Sequence, residues 1–397
     1  MSDYMTSHTG EIVINKAGRR FTLQSKVLQS PLAGVSDLVF RRLVRRWAPH
    51  SLLFTEMVNA TSLELGHGRQ KVSELSREDG PIGVQLFDHR PTAMADAARR
   101  AEDAGAFSID INMGCPVRKI AKKGGGAGLI REPDMAGRIV EAVSRAVQIP
   151  VTVKTRLGWC ASDADPVTWC QQLEQAGAQW LTVHGRTREQ GFKGQADWHA
   201  IKAIKDALSI PVIANGDINS PADALRCLQL TCADGVMVGR GTMGAPWLTG
   251  QIEAALSGRS VPPTPNAAER LALAREQLEL LVAERGDHGL LIARKHMGWT
   301  CTGFPGAAQL RQALMRAPSP IEACQLLDAQ IQALTAALPA RADDGPLTTI
   351  FPRTSLIPAC CPLICSAVPA PGSQLPAGSI QQPCTKHTPT CGETRTC

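Results

Sequence analysis

Aromatic residues are scarce in this chain. Phe, Trp and Tyr together make up 4% of 397 residues, with a single tyrosine, so ring stacking can supply little of any binding energy. No uninterrupted apolar stretch approaches the roughly 18 residues of a membrane-spanning helix. The opening MSDYMTSHTGE lacks the basic-then-apolar order of a secretory signal, and a cytoplasmic protein with no membrane partner is expected. Excess charge is small too. Forty-two basic against 36 acidic residues leave +6, which tolerates a polyanionic partner without requiring one. Cysteine is not scarce, but disulfide spacing is. Of 13 cysteines, Cys360, Cys361, Cys365, Cys384, Cys391 and Cys397 fall in the last stretch and the others are scattered through helix-like and strand-like segments, as in a reduced protein.

That last stretch, residues 342–397, is rich in Pro, Ser, Thr and Gly and has no apolar period. It cannot bury enough surface to offset chain entropy, and a disordered tail is expected. The spacing of Cys384, His387 and Cys391 matches no standard zinc pairing, and no metal is expected. The remainder, at 44% hydrophobic and 20% charged overall, has the composition of a globular protein.

Between residues 27 and 241, short apolar and β-branched runs recur: VLQSPLAG (27–34), SLLFTEM (51–57), PIGVQLF (81–87), FSIDINMG (107–114), PVTVKTRLG (150–158), WLTVHGR (180–186), PVIANGD (211–217) and GVMVGRG (235–241). Runs this continuous suit strands buried on both faces, as in parallel sheets. Segments with helical spacing separate them, several opening on Pro, Asp or Ser and closing near Gly. Eight such units over residues 27–258 predict an α/β fold, a (β/α)8 TIM barrel. The rival is a doubly wound open sheet, disfavoured because no GxGxxG follows the first strand. Ahead of the barrel, in the 1–26 extension, EIVINKAGRRFTLQ alternates around Lys16-Ala17-Gly18 and predicts a hairpin closing the barrel's lower end. Behind Pro262, Pro263 and Pro265 the pattern turns wholly helical, predicting a small helical bundle over 266–340.

In such barrels chemistry is done at the C-terminal strand ends. There the sequence places Gln85, Asn112, Cys115, Lys154, Arg156, His184, Arg186, Asn215, Asp217 and Arg240. A lysine inside an apolar strand such as VTVKTRL is costly unless paired, so Lys154 calls for a reason. NGD (215–217) and GRG (239–241) fall at the strands where barrels often hold a phosphate, with Gly216, Gly239 and Arg240 as the candidate holders. A lysine near a phosphate fits two chemistries: a cation beside a flavin, or the Schiff base of a class I aldolase. A non-catalytic RNA-binding barrel also remains open.

The ordered set PLAGVSD, TEM, VQLF, DINMGCP, VKTRLGW, TVHGRT, PVIANGDI and VGRG resembles the bacterial tRNA-dihydrouridine synthases over roughly residues 25–335. The resemblance implies FMN as cofactor, NADPH as reductant and a uridine of the tRNA D-loop as substrate; separately, a monomer with no protein partner is expected. It implies cofactor contacts at Pro31, Leu32, Ala33, Gln85, Lys154, His184, Asn215, Gly216, Asp217, Gly239 and Arg240. Cys115 matches the catalytic cysteine. Hydride arriving at uracil C6 leaves charge toward C5, and a thiol with an ordinary pKa of about 8.5 is protonated at neutral pH, so Cys115 is expected to be the acid. A nucleophilic cysteine would need a lowered pKa, for which Arg118, Lys119, Lys122 and Lys123 are at hand.

The glycines of GGGAGL let that basic loop move, and its cations can meet phosphates as a base is extruded. Substrate contacts are therefore expected at Asn112 and Lys119. The segment ARKHMGW matches the family's helical region facing tRNA and adds Arg294 and Lys295. GGGAGLI, RLGW, REQGF and ADWHAI resemble the branch that modifies uridine 16, while other segments resemble a second bacterial branch. A different flavin barrel, reducing a free pyrimidine or an enone, is the nearest alternative, and the helical region and basic loop speak against it.

Overall fold

The computed structural model describes residues 11–122, 124–162 and 165–337. Lys123, the tail expected at 342–397 and the Cys384, His387, Cys391 group lie outside the described residues.

Eight parallel strands form the barrel: β1 (Val27–Gln29), β2 (Leu53–Phe54), β3 (Ile82–Phe87), β4 (Ser108–Asn112), β5 (Val151–Arg156), β6 (Trp180–His184), β7 (Val212–Asn215) and β8 (Gly235–Val238). Each pairs with its neighbour in sequence, and β8 pairs with β1. The seam between β1 and β2 closes through a parallel bridge of Leu28 with Leu52, where Gln29 N–H donates to Leu52 O at 3.0 Å. The outward residues explain the apolar runs. Ile109, Ile111, Val151, Val153, Leu181 and Val183 are fully buried beneath the surrounding helices.

Every strand is shorter than its apolar run, the first two most of all. In VLQSPLAG the ladder stops at Gln29, because Pro31 has no N–H to donate and the chain turns along the barrel rim. In SLLFTEM only Leu53–Phe54 is strand, although Thr55 N–H still reaches Gly83 O at 3.0 Å.

Helices follow the strands: α1 (Leu38–Trp47), α2 (Ala60–Glu64), α3 (Pro91–Asp103), α4 (Pro133–Ala146), α5 (Pro166–Gln175), α6 (Trp198–Ala207), α7 (Pro221–Thr231) and α8 (Leu248–Leu256). Their starts are fixed by the residues that sequence suggests. Asp37 accepts Phe40 N–H at 2.9 Å, Asp197 accepts Ala200 N–H at 2.9 Å, and Ser220 accepts Asp223 N–H at 3.0 Å.

The hairpin forms at Ile12–Lys16 and Arg19–Leu23, with Ala17 and Gly18 both at positive φ as a tight two-residue turn needs. Phe21 meets Phe107 edge-on at 6.0 Å, just ahead of β4, so the hairpin covers the N-terminal end of the barrel.

After α8 come four helices, α9 (Ala267–Arg285), α10 (His288–Thr300), α11 (Ala307–Arg316) and α12 (Pro320–Ala336). They share a core built from Leu271, Leu278, Leu281, Met297, Leu314 and Leu327, which Val39 of α1 joins. A Cβ on Gly289 would collide with the carbonyl of Leu281, so glycine there lets α10 start tight against α9. Ionic contacts tie α9 to the barrel. Arg46 reaches Glu276 at 2.8 Å and Arg285 reaches Glu74 at 2.8 Å, while Arg41, 1% exposed, donates Nε to Glu78 at 2.6 Å. Barrel and helices belong to one compact unit. Among the described residues no helix is long and apolar enough to cross a membrane.

Candidate active site at the barrel mouth

Strand register gathers the polar residues into one layer. Gln85 stands opposite Asp110, Asn112 opposite Lys154, and His184 opposite both Arg156 and Asn215. Above them opens a cleft of about 260 Å³. Pro31, Leu32 and Ala33 line it after β1, Gln85 from β3, Asn112 and Cys115 at the end of β4, Lys154 from β5 and His184 from β6. Asn215, Gly216 and Asp217 after β7, with Gly239 and Arg240 after β8, complete the wall.

Hydrogen bonds fix the orientation of these groups. Asn215 gives its amide N–H to Met237 O at 2.8 Å, which leaves its oxygen for Lys154 Nζ at 3.0 Å. Burial pulls Lys154 below the ordinary lysine range, Arg156 adds to that, and Asp110 opposes it. Arg156 is 3% exposed and spends its donors on backbone, Nε to Gly114 O at 2.7 Å and Nη1 to Thr187 O and Gly191 O at 3.0 and 2.9 Å. It pins the cysteine loop to the loop after β6. Burial lowers it to about 10, so it remains a cation at neutral pH.

His184 is held neutral. Burial first, then Lys154, Arg156, Arg186 and Arg240, push it down to about 2, and its Nδ1 is buried with no partner among the described residues. Gly216 lies beside it at φ +117°, where a Cβ would come within 2.8 Å of Ala196 Cβ and 3.2 Å of the imidazole. Asp217 lines the cleft, but its carboxylate faces inward to the protein. It accepts Arg186 Nη2 at 2.7 and 2.8 Å and Ala196 N–H at 2.7 Å, so it braces the loop after β6.

The Cys115 thiol is half-buried. Burial raises its pKa, against smaller opposing effects of the Val117 N–H, Arg156 and Lys154. The described cations of the basic loop do not counter this. Arg118, Lys119 and Lys122 are exposed and contribute no resolved lowering. Burial of this kind disfavours the thiolate form.

The residues expected further out are dispersed. Lys119 sits on the one-turn helix Arg118–Ala121, facing solvent and outside the cleft. Arg294 donates Nη2 to Ala317 O at 3.0 Å, closing the end of α11. Lys295 reaches the barrel rim, its Nζ 3.3 Å from where a Cβ on Gly34 would stand.

Two residues of the site escaped the sequence reading. Asp110, fully buried, accepts Gln85 Nε2 at 2.7 Å and Thr152 Oγ1 at 2.6 Å, and burial lifts its pKa. A carboxylate inside FSIDINMG is as costly as a lysine inside VTVKTRL, so the signal was present. Phe192 stands 54% exposed at the cleft, its ring 4.6 Å from the Arg240 guanidinium and 5.5 Å from that of Arg156. It lies in a polar loop with no period, and nothing in the sequence marked it.

Comparison with known proteins agrees with this geometry. Residues 28–337 match the family model described as dihydrouridine synthase (Dus). The probable tRNA-dihydrouridine synthase 1 of Synechocystis sp. is 53% identical over 310 residues, 78% of this chain and 87% of that protein. The probable tRNA-dihydrouridine synthase of Rickettsia bellii is 42% identical, over 75% of this chain and 92% of its own length. The tRNA-dihydrouridine synthase B of Pseudomonas aeruginosa is 39% identical, over 75% and 90%. With its barrel and its helices both inside the matched region, the chain belongs to the dihydrouridine synthase family.

Proposed function

We propose that this protein is an FMN-dependent tRNA-dihydrouridine synthase that reduces the C5–C6 double bond of a D-loop uridine, with NADPH as the source of electrons. The reading rests on one observation above the others: the Cys115 thiol, its pKa raised by burial, shares a single cleft with Lys154, His184 and Arg240.

The cleft fits an anionic, flat cofactor. Lys154 is a half-buried cation whose one acceptor among the described residues is Asn215, and His184 keeps a buried nitrogen that has no partner among them. At Gly239 a Cβ would meet nothing closer than 3.7 Å, so the bare backbone leaves room for a phosphate beside Arg240. Pro31, Leu32 and Ala33 would cover the ring, Gln85 would bond its polar edge, and Gly216, Gly239 and Arg240 would hold the phosphate. When bound and reduced, FMN supplies the hydride that uracil C6 receives.

Cys115 then gives its proton to C5. Its burial-raised pKa keeps that proton available at neutral pH, and Lys154 and Arg156 stabilise the thiolate left behind. Asn112 holds the cysteine in place through its backbone N–H at 3.0 Å. Lys119 and Lys295 are assigned to RNA phosphates, with Arg294 tying α10 to the end of α11. The protein acts as a monomer in the cytoplasm, where its substrate is.

Incubating the full chain with FMN, NADPH and unmodified tRNA, then mapping dihydrouridine by position, tests the reading. Product is expected at uridine 16. Cys115→Ala should still allow NADPH to reduce the flavin while uridine turnover falls about 100- to 10,000-fold. A protein that takes up no FMN, or forms no dihydrouridine anywhere, would refute it.

A further inference from the structure

Three successive loops at the barrel mouth meet around Trp159. The indole belongs to the loop after β5. Arg188, from the loop after β6, lies with its guanidinium carbon 4.5 Å from the ring centroid, and Arg131, from the loop after β4, lies at 5.0 Å. Both are within cation–π range. The backbone beneath is tied down, since Arg188 N–H donates to Gly158 O and Glu189 N–H to Trp159 O, each at 2.9 Å.

Among the described residues this stack has no acid within ion-pair distance of Arg131 or Arg188, and Arg188 Nε is buried without any hydrogen-bond partner among them. The other arginines of the mouth differ. Arg156 is spent on carbonyls, and Arg186 and Arg240 share Asp217. Two like charges gathered on one ring, with donors left over, are stable in water but poised for an anion. Their field extends inward, for Arg188 is among the cations that depress Arg156 after burial, Arg186 and Arg240.

We propose that Arg131, Trp159 and Arg188 form a phosphodiester-binding site that seats the RNA strand beside the cleft, each arginine taking one phosphate. The inference rests on the reading of the substrate as RNA. Both arginines lie against the indole, so the guanidinium edges, rather than the ring, are the groups offered to a ligand. A guanidinium held over a ring has already lost much of its side-chain freedom, and its N–H fork matches two phosphate oxygens. Base identity is not read here. The site positions the strand, and the cleft selects the nucleotide.

The test uses the FMN-loaded full chain and a fluorescently labelled, unmodified tRNA, with binding followed by anisotropy between about 50 and 200 mM salt. Arg131→Gln with Arg188→Gln should weaken binding roughly 10- to 100-fold at low salt and reduce the slope of log affinity against log salt by about 1.4 to 1.8, the value for two phosphates. NADPH reduction of the flavin and the thermal midpoint should not move. Trp159→Leu, which leaves both charges but removes their platform, should lose a smaller part of the affinity. If that variant fails to fold, the surface arginine pair decides alone. Unchanged affinity and slope in the arginine pair overturn the site, as does weaker binding with an unchanged slope. Should the wild-type protein neither bind tRNA nor reduce it, the RNA reading falls and takes this site with it; failure of the variants alone removes only the site.

Discussion

Asn112 and Cys115 are joined by a hydrogen bond of 3.0 Å from the cysteine backbone N–H to the asparagine side-chain oxygen. The direction of that bond is set two residues deeper. Asp110 is buried and, when ionised, can only accept, so Gln85 must turn its N–H toward it at 2.7 Å. Gln85 then offers its oxygen to Asn112 Nδ2 at 2.8 Å, and Asn112 keeps its own oxygen for Gly114 and Cys115.

A polarity swap tests this chain. Asn112→Asp places Gln85 between two acceptor-only groups, and no flip of its amide satisfies both. A cost of about 2–3 kcal/mol in urea denaturation is expected, with faster alkylation of Cys115. Adding Asp110→Asn restores a complete set of partners with the Gln85 amide reversed, and should recover more than half of the loss. A double variant less stable than the single one would show that the residues do not act as one network.

The Cys115 thiol titrates late. Because burial raises its pKa, the acid form persists beyond the ordinary thiol range of about 8.5, and uridine reduction should hold up to that pH before falling on the alkaline side. Site-resolved alkylation with iodoacetamide reads the same group without catalysis. Its midpoint should lie above the ordinary thiol value of about 8.5. A midpoint well below 8 would make Cys115 a nucleophile instead.

Two neutral buried histidines give the fold an acid-side weakness. His184 is pushed down to about 2 and His296 to about 3, in both cases chiefly by burial. The unfolded chain protonates them near 6.5 and the folded one does not, so their stability contribution is present above that pH and lost as pH falls. From pH 7 to 5 each should lose about 2 kcal/mol. His296 packs its ring 5.9 Å from Phe40 and 5.1 Å from Trp299, and its Nε2 has no partner among the described residues. His296→Phe should therefore remove about half of the pH dependence measured by denaturation; an unaltered slope would contradict the assignment.

Arg41 holds Glu74 and Glu78 where barrel and helices meet. Arg41→Met leaves Glu78 buried without its cation, and a loss of about 3–5 kcal/mol is expected in chemical denaturation. A loss under 1 kcal/mol would mean that water or Arg45 takes over the pairing.

How far the sequence could be read depended on whether a residue's role was local. Lys154 and Arg156 announced themselves as charges in an apolar strand, and the glycines of NGD and GRG as turns at the right strands. The alternation of EIVINKAGRRFTLQ around Lys16-Ala17-Gly18 marked the hairpin. Asp110 obeyed the same rule as Lys154 yet stayed hidden within a run read as simply apolar. Arg294 went the other way: helical spacing makes it a surface cation, while the fold turns it toward the end of α11.

The order of apolar runs, their caps and the polar residue ending each strand are properties of neighbours along the chain, and these were enough to determine a barrel with its chemistry at one end. Which charge faces which was decided only by barrel closure. Register sets Asn112 beside Lys154 and Gln85 beside Asp110, and three loops distant in sequence converge on Trp159. Pairings of that kind depend on the stagger and twist of eight strands together, and no local period carries that information.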